Sequence, residues 1–174
     1  AAWLMELQNR DGGIPTFCRG WGHLPFDRSS PDLTAHALRS WAAWLGAVAE
    51  AERRRLERAM RRAVNYLELS QRADGSWLPL WFGNQHAPDD VNPTYGTARV
   101  VTALAHLPRS LADARVEAML MGGVRWLLEG RDADGRWGGH PGTPPSIEET
   151  ALAVEALVSA APRFPDTFGA ECKT

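Results

Sequence analysis

Arg62-Ala63-Val64-Asn65-Tyr66-Leu67-Glu68-Leu69-Ser70-Gln71-Arg72-Ala73-Asp74-Gly75-Ser76-Trp77 reads as the tail of a helix followed by a tight Gln-x-x-Asp-Gly-x-Trp loop. Asp-Gly is a turn signal: Gly takes positive φ at no steric cost, and the Asp carboxylate accepts backbone N–H groups inside the turn. Gln71, at the helix end, can bond loop or neighbouring-helix backbone. Trp77 can lie over the first turn of the next helix. An indole buries a large apolar area and leaves one N–H to satisfy, which suits a staple between loop and helix.

The pattern occurs twice more. Trp3 to Gly13 is a helix end followed by Gln8, Asn9, Arg10, Asp11, Gly12 and Gly13, and Trp126 to Trp137 is a helix end followed by Arg131, Asp132, Ala133, Asp134, Gly135, Arg136 and Trp137. The aromatic positions Trp3, Tyr66 and Trp126 are 63 and 60 residues apart. A period near 60 argues for a helical repeat array with loops at 8–14, 71–77 and 131–137. The first copy has Ile14 in place of the Trp and the third has Arg131 in place of the Gln, so both are expected to clamp less firmly. A structural role for these loops outweighs a directly catalytic one.

Helical spacing fills in the rest. Pro31 suits a first helical position, after Ser30 as N-cap and before Asp32 in the first turn. Leu33, Ala37, Trp41, Trp44 and Val48 then form one apolar stripe, with Gly46 either tolerated inside the helix or marking its end. A helix over about 52–70 buries Leu56, Met60, Ala63, Val64 and Leu67, and its arginines read as a solvated face. Helices over about 94–107 and 113–128 follow. Ser146 and Glu149 have capping-box spacing, opening a helix that carries Ile147, Leu152, Val154, Ala156 and Leu157 and ends before Pro162. No run shows the period-two alternation of a strand. The fold class is therefore all-α, built of repeated antiparallel helix pairs. Periodicity alone leaves an open solenoid and a closed αα-toroid as alternatives.

The chain of 174 residues is expected to form one domain, 1–174. A formal net charge of -2 supplies no field that would favour nucleic acid. Cys18 and Cys172 are not a disulfide framework, and no apolar run of about 18 residues could span a bilayer. Ala1-Ala2-Trp3-Leu4 reads as the middle of a helix without a cap, so the chain is expected to be a piece of a longer protein.

Chemistry is sparse by comparison. Asp32 and His36 lie four apart on one helix and face the same way. A carboxylate there should favour the imidazolium and support proton handling, although a satisfied polar pair at a helix start is the blander reading. Cys18, His23, Asp32 and His36 are suitable zinc ligands in kind but have no ligand spacing, and His86 with Asp89 and Asp90 reads as an exposed acidic loop. Phe17, Trp21, Phe26, Trp81, Phe82 and Tyr95 fall in or just after two long connections. Their rings could steady a cation in a cavity or fill the space between helix layers.

The pattern Arg62-Ala63-x-x-Tyr66-Leu67-x-x-x-Gln71-x-x-x-Gly75-x-Trp77 resembles the QW repeat of the squalene–hopene and oxidosqualene cyclases. Pro31-Asp32-Leu33-Thr34-Ala35-His36 resembles their Asp-Val-Thr-Ala-His segment, Tyr95-Gly96-Thr97 their Tyr-Gly-Thr segment, and Ser146 to Leu157 the helix after their third repeat. The resemblance spans about residues 1–160. It implies part of an αα-barrel (αα-toroid) in an enzyme that protonates a polyprenyl or triterpene substrate and cyclises it through carbocations, with no cofactor or metal. It further implies that Asp32 and His36 are catalytic-site residues supporting the proton donor, and that Phe17, Trp21, Trp81 and Tyr95 line the substrate cavity. The acidic Asp-x-Asp-Asp motif of the family does not occur here, since Asp89-Asp90 lacks the first Asp. The donor is then expected in a missing N-terminal part of the same chain, and these 174 residues alone are expected to be inactive. An apolar isoprenoid substrate implies a cytoplasmic protein that associates with membranes peripherally when full length. Alternatives are a non-catalytic helical-repeat binding or scaffold domain and a protein-prenyltransferase-like subunit, which would need a zinc site.

Overall fold

The computed structural model describes residues 2–19 and 27–165. Six helices carry the fold: α1 (Ala2–Leu7), α2 (Pro31–Trp44), α3 (Glu50–Ser70), α4 (Pro93–Ala105), α5 (Ala114–Glu129) and α6 (Ile147–Ala160). They pack in two layers. In the front layer α4 lies between α2 and α6, and behind it α3 packs on α2 and α5 on α4, with α3 and α5 also in contact. A single apolar core, which includes Trp41, Leu56, Met60, Leu67, Trp77, Leu104, Leu120 and Leu127, runs between the layers.

The α3 stripe is buried as its spacing predicts, at Leu56, Met60, Ala63, Val64 and Leu67. The α2 stripe is cut short. The helix ends at Trp44, and Gly46 lies in the turn to α3, so Trp44 is left 59% exposed. The α6 stripe splits. Leu152, Ala156 and Leu157 face the core, whereas Ile147 and Val154 point outward, because among the described residues only one flank of α6 has a helix beside it. One short antiparallel bridge forms where no alternation announces a strand: Ile14 pairs with Ser30 and Pro15 with Ser29. It fastens the return of the first long connection to the start of α2.

The repeated loops tie these layers together. In the second copy the Trp77 backbone N–H donates to Thr97 Oγ1 at 3.0 Å, and its indole N–H donates to the Leu67 carbonyl at 2.7 Å. In the third, Trp137 donates to Thr150 Oγ1 at 3.1 Å and to the Leu127 carbonyl at 2.7 Å. In the first, the Ile14 N–H donates to Thr34 Oγ1 at 2.9 Å. The glutamines work alike: Gln8 donates to the Gly12 and Ala59 carbonyls, and Gln71 to those of Gly75 and Met119. The second loop thus joins the helix it ends, the front helix it starts and the next back helix; the first makes the latter two bonds and the third the former two. The first copy keeps every bond except the indole one, while in the third Arg131 is exposed at the glutamine position.

Candidate functional site

Asp32 stands in the first turn of α2 and is buried. Ser30 occupies the N-cap position, but its hydroxyl does not cap the helix. It donates to the Asp32 carboxylate and accepts the Leu80 N–H at 3.0 Å. The reason is the second long connection, which brings an unpaired backbone donor to this helix start. One turn further on, exposed His36 lines an apolar pocket of about 240 Å³ together with Leu7, Ile14, Thr16, Leu33 and Ala37.

The charge state of His36 runs opposite to the expectation from Asp32 alone. Partial burial lowers its pKa below the usual 6.5, and Arg99 and Arg39 lower it further, outweighing Asp32 and Glu155. The imidazole is thereby biased to its neutral form, able to accept a proton on one nitrogen and donate from the other.

Tyr95 opens α4. Asn92 caps that helix, its side-chain oxygen accepting the Tyr95 N–H at 3.0 Å. Phe82 stacks on the Tyr95 ring with centroids 4.1 Å apart, and the Arg99 guanidinium lies 5.2 Å from the ring centroid. Burial raises the Tyr95 phenol pKa, so it remains protonated. Asp32 and His36 stand in the first two turns of α2 and Tyr95 in the first turn of α4, and these two helices pack side by side. Asp32, His36 and Tyr95 therefore belong to one neighbourhood on the front layer. Trp81 is half exposed, and its indole N–H is tied to the Thr16 hydroxyl across the two long connections. Phe17, next to Thr16, is 74% exposed. Trp21, with His23, lies outside the described residues.

The other candidates separate. Asp89 and Asp90 are exposed in a turn with positive φ (55° and 52°), and His86 lies beside them in the same exposed loop. Among the described residues no group of three His, Cys, Asp or Glu is arranged to hold a metal ion. Likewise no helix there is long and apolar enough to cross a membrane.

Two features of this neighbourhood are absent from the sequence reading. Glu149 on α6 is buried and accepts from Asn92 at 3.1 Å, from Asn84 at 3.3 Å and from the Ser146 hydroxyl. Its spacing from Ser146 is visible in sequence, but its carboxylate ties the second connection to α6 instead of reaching back to the Ser146 N–H, which donates to the Trp137 carbonyl. The second is an ion cluster. Arg39 of α2 and Arg99 of α4 both approach Glu155 of α6, at 3.5 and 3.8 Å. The i,i+3 spacing of His36 and Arg39 and the i,i+4 spacing of Tyr95 and Arg99 were available signals, but only helix packing brings the three helices into register.

Fold and site together define a segment of a helical-repeat protein whose front-layer helix starts combine stacked aromatics with a carboxylate and imidazole pair. The chain belongs to the squalene–hopene cyclase family: residues 1–161 match the squalene–hopene cyclase C-terminal domain. It is 30% identical over 152 residues to enfumafungin synthase efuA of Hormonema carpetanum, covering 78% of this chain and 11% of that one. It is 37% identical over 115 residues to the ent-copalyl diphosphate synthase of Streptomyces sp. (strain KO-3988), covering 63% and 20%. The solved ent-copalyl diphosphate synthase of Streptomyces platensis superposes with a TM-score of 0.67 at 26% identity, over 88% of this chain and 25% of that one. The chain thus spans a quarter or less of the length of these relatives.

Proposed function

We propose that this chain is one wall of the cavity of a longer isoprenoid cyclase, in which an acyclic polyprenyl or triterpene substrate is protonated and closes through carbocations. The observation that carries the reading is the placing of buried Asp32, exposed His36 and buried Tyr95 at the starts of two helices packed side by side in the front layer. Asp32 and His36 are positioning residues here. They set the field and hydrogen bonding of a carboxylic acid supplied by another segment of the longer protein, and that acid delivers the proton. A neutral His36 can accept the hydrogen of that acid or return a proton to it after each turnover. Phe82, half exposed on top of the buried Tyr95 ring, presents a π face to a cation developing nearby, and Trp81 and Phe17 exclude water from it. Trp21 belongs to the same connection as Phe17 and is assigned the same role.

The test is to incubate the full-length protein with acyclic isoprenoids, namely squalene, a C20 prenyl alcohol and its diphosphate, and to analyse the products. Cyclic products are expected from at least one. A folded full-length protein that cyclises none of them would instead support a binding or scaffold module that kept the repeats and lost the chemistry. The positioning role has its own readout: in His36→Gln the acid limb of the pH–rate profile should move, and not only the maximal rate.

A further inference from the structure

Glu149 is a buried side chain of α6 whose hydrogen bonds all lead to other segments or to its own helix start. One carboxylate oxygen accepts from the side-chain amides of Asn92, at 3.1 Å, and Asn84, at 3.3 Å, and the other accepts the Ser146 hydroxyl. A carboxylate that only accepts dictates which way both asparagine amides turn: nitrogens toward α6, oxygens back toward their own segments. The Asn92 oxygen then takes the Tyr95 N–H at 3.0 Å, and the Asn84 oxygen takes the His86 N–H at 2.9 Å.

These two asparagines hold the two segments that carry the stacked rings. Asn92 caps α4, whose first turn bears Tyr95. Asn84 is the neck of a closed loop over 84–90. Its backbone N–H donates to the Asp90 carbonyl and its carbonyl accepts the Ala87 N–H, both at 2.9 Å. Phe82 stands two residues before that neck. Gly83, between them, lies so close to the Asp90 carbonyl that a Cβ would come within 2.6 Å of its oxygen, so the backbone at Phe82 moves with the neck. The third repeat loop closes the junction. A Cβ at Gly139 would stand 2.4 Å from Asn84 Nδ2, and the Gly139 carbonyl accepts the Thr94 N–H at 3.1 Å. Phe82 itself is 47% exposed, and stacking alone fixes a half-exposed ring weakly. One carboxylate on a third helix thus links the backbones beneath both rings.

We infer that Glu149, acting through Asn84 and Asn92, is a positioning residue for the Phe82–Tyr95 pair, fixing where the exposed π face stands in the cavity wall and so how far a substrate cyclises on it. The inference rests on the reading that this pair faces a developing cation. It adds α6 and the third repeat loop to the parts that shape the product, although neither supplies a ring to the stack.

Two arms test it on the full-length protein. The first is hydrogen exchange and needs no turnover. Glu149→Ala should speed exchange over residues 80–92 and at the Tyr95 amide about tenfold or more while leaving α3 and α5 unchanged. Glu149→Gln keeps an acceptor for both asparagines, and the Ser146 hydroxyl can turn to accept from its amide, so it should stay near wild type. Should Glu149→Ala fail to fold, Asn84→Ala cuts one of the two ties and should loosen 80–92 alone. Unchanged exchange in the alanine variant, or equal loosening in Glu149→Gln, would overturn the inference. The second arm measures the ratio of fully to partly cyclised products from whichever of squalene, a C20 prenyl alcohol or its diphosphate the protein cyclises. Glu149→Ala should shift that ratio about threefold or more, Glu149→Gln should restore it, and in a Phe82→Leu background Glu149→Ala should shift it no further. An unchanged ratio with reduced yield of folded protein, or the same shift in both backgrounds, would reduce Glu149 to a structural tie and overturn the positioning role. Loosened exchange in a protein that cyclises no isoprenoid would leave the junction standing and remove the cyclase reading beneath it.

Discussion

Trp77 is fully buried and spends its one indole donor on the Leu67 carbonyl, ten residues back at the end of α3. Trp77→Ala should therefore cost about 3–5 kcal/mol, the range for truncating a buried aromatic. Trp77→Phe keeps most of the apolar area and leaves that carbonyl the Ser70 hydroxyl, which donates to it at 3.2 Å, so a smaller loss of about 0.5–1.5 kcal/mol is expected, both measured by denaturant unfolding. Glycine carries the turn in the same loop. Gly75 has φ 91°, and a Cβ there would lie 2.6 Å from the Gly122 carbonyl oxygen. Gly135 has φ 78° with open space around it. Gly135→Ala should cost only the left-handed conformation, about 1–2 kcal/mol, and Gly75→Ala clearly more, because the backbones of the loop and α5 must also separate. His36 gives a pH dependence. Its pKa in the folded protein lies below the ordinary 6.5, so between those values the unfolded chain binds more protons. The contribution is complete above the unfolded pKa and is lost as pH falls through the folded one. His36→Gln should flatten the fall in Tm on acidification below neutral pH, and a proton NMR titration of the wild type should find this imidazole titrating below the unfolded value.

At the level of the helices, ends and faces obey different rules. Asp113 caps α5 by accepting the Arg115 and Val116 N–H groups at 3.1 Å each. Asp113→Ala should lower stability by about 0.5–2 kcal/mol in thermal or denaturant unfolding. The boundaries of α3 and α5, and the cap at Ser146, are legible in sequence because propensity, apolar spacing and cap chemistry are all local. Ser30 marks where this fails. Its position is that of a cap, but a backbone N–H from 50 residues away takes its hydroxyl. Local spacing likewise identifies the apolar side chains of α6 without deciding which of them the packed layers cover. Ile147 and Val154 share their helix with buried Leu152 and stay exposed.

For the molecule as a whole, the three loops set the layering. Gln8 and Gln71 each reach a carbonyl on the next back helix, the indoles of Trp77 and Trp137 fold back onto the helix just ended, and a threonine near the start of each front helix receives the loop. Those bonds repeat at Thr34, Thr97 and Thr150. The sequence by itself determined the all-α class, the repeat, most of the core and the cyclase family. All of these follow from local periodicity, turn chemistry and motifs, where the relevant residues are neighbours along the chain. Asp32, His36 and Tyr95 could be nominated as site residues for the same reason. Only the tertiary structure decided what surrounds them. The neutral bias of His36, the Tyr95–Phe82 stack, the buried Glu149 junction and the Arg39–Arg99–Glu155 cluster join side chains up to 116 residues apart. The physical reason is that fields, burial and cross-helix register depend on distance in space, which the packing of α2, α4 and α6 sets and the order of residues does not.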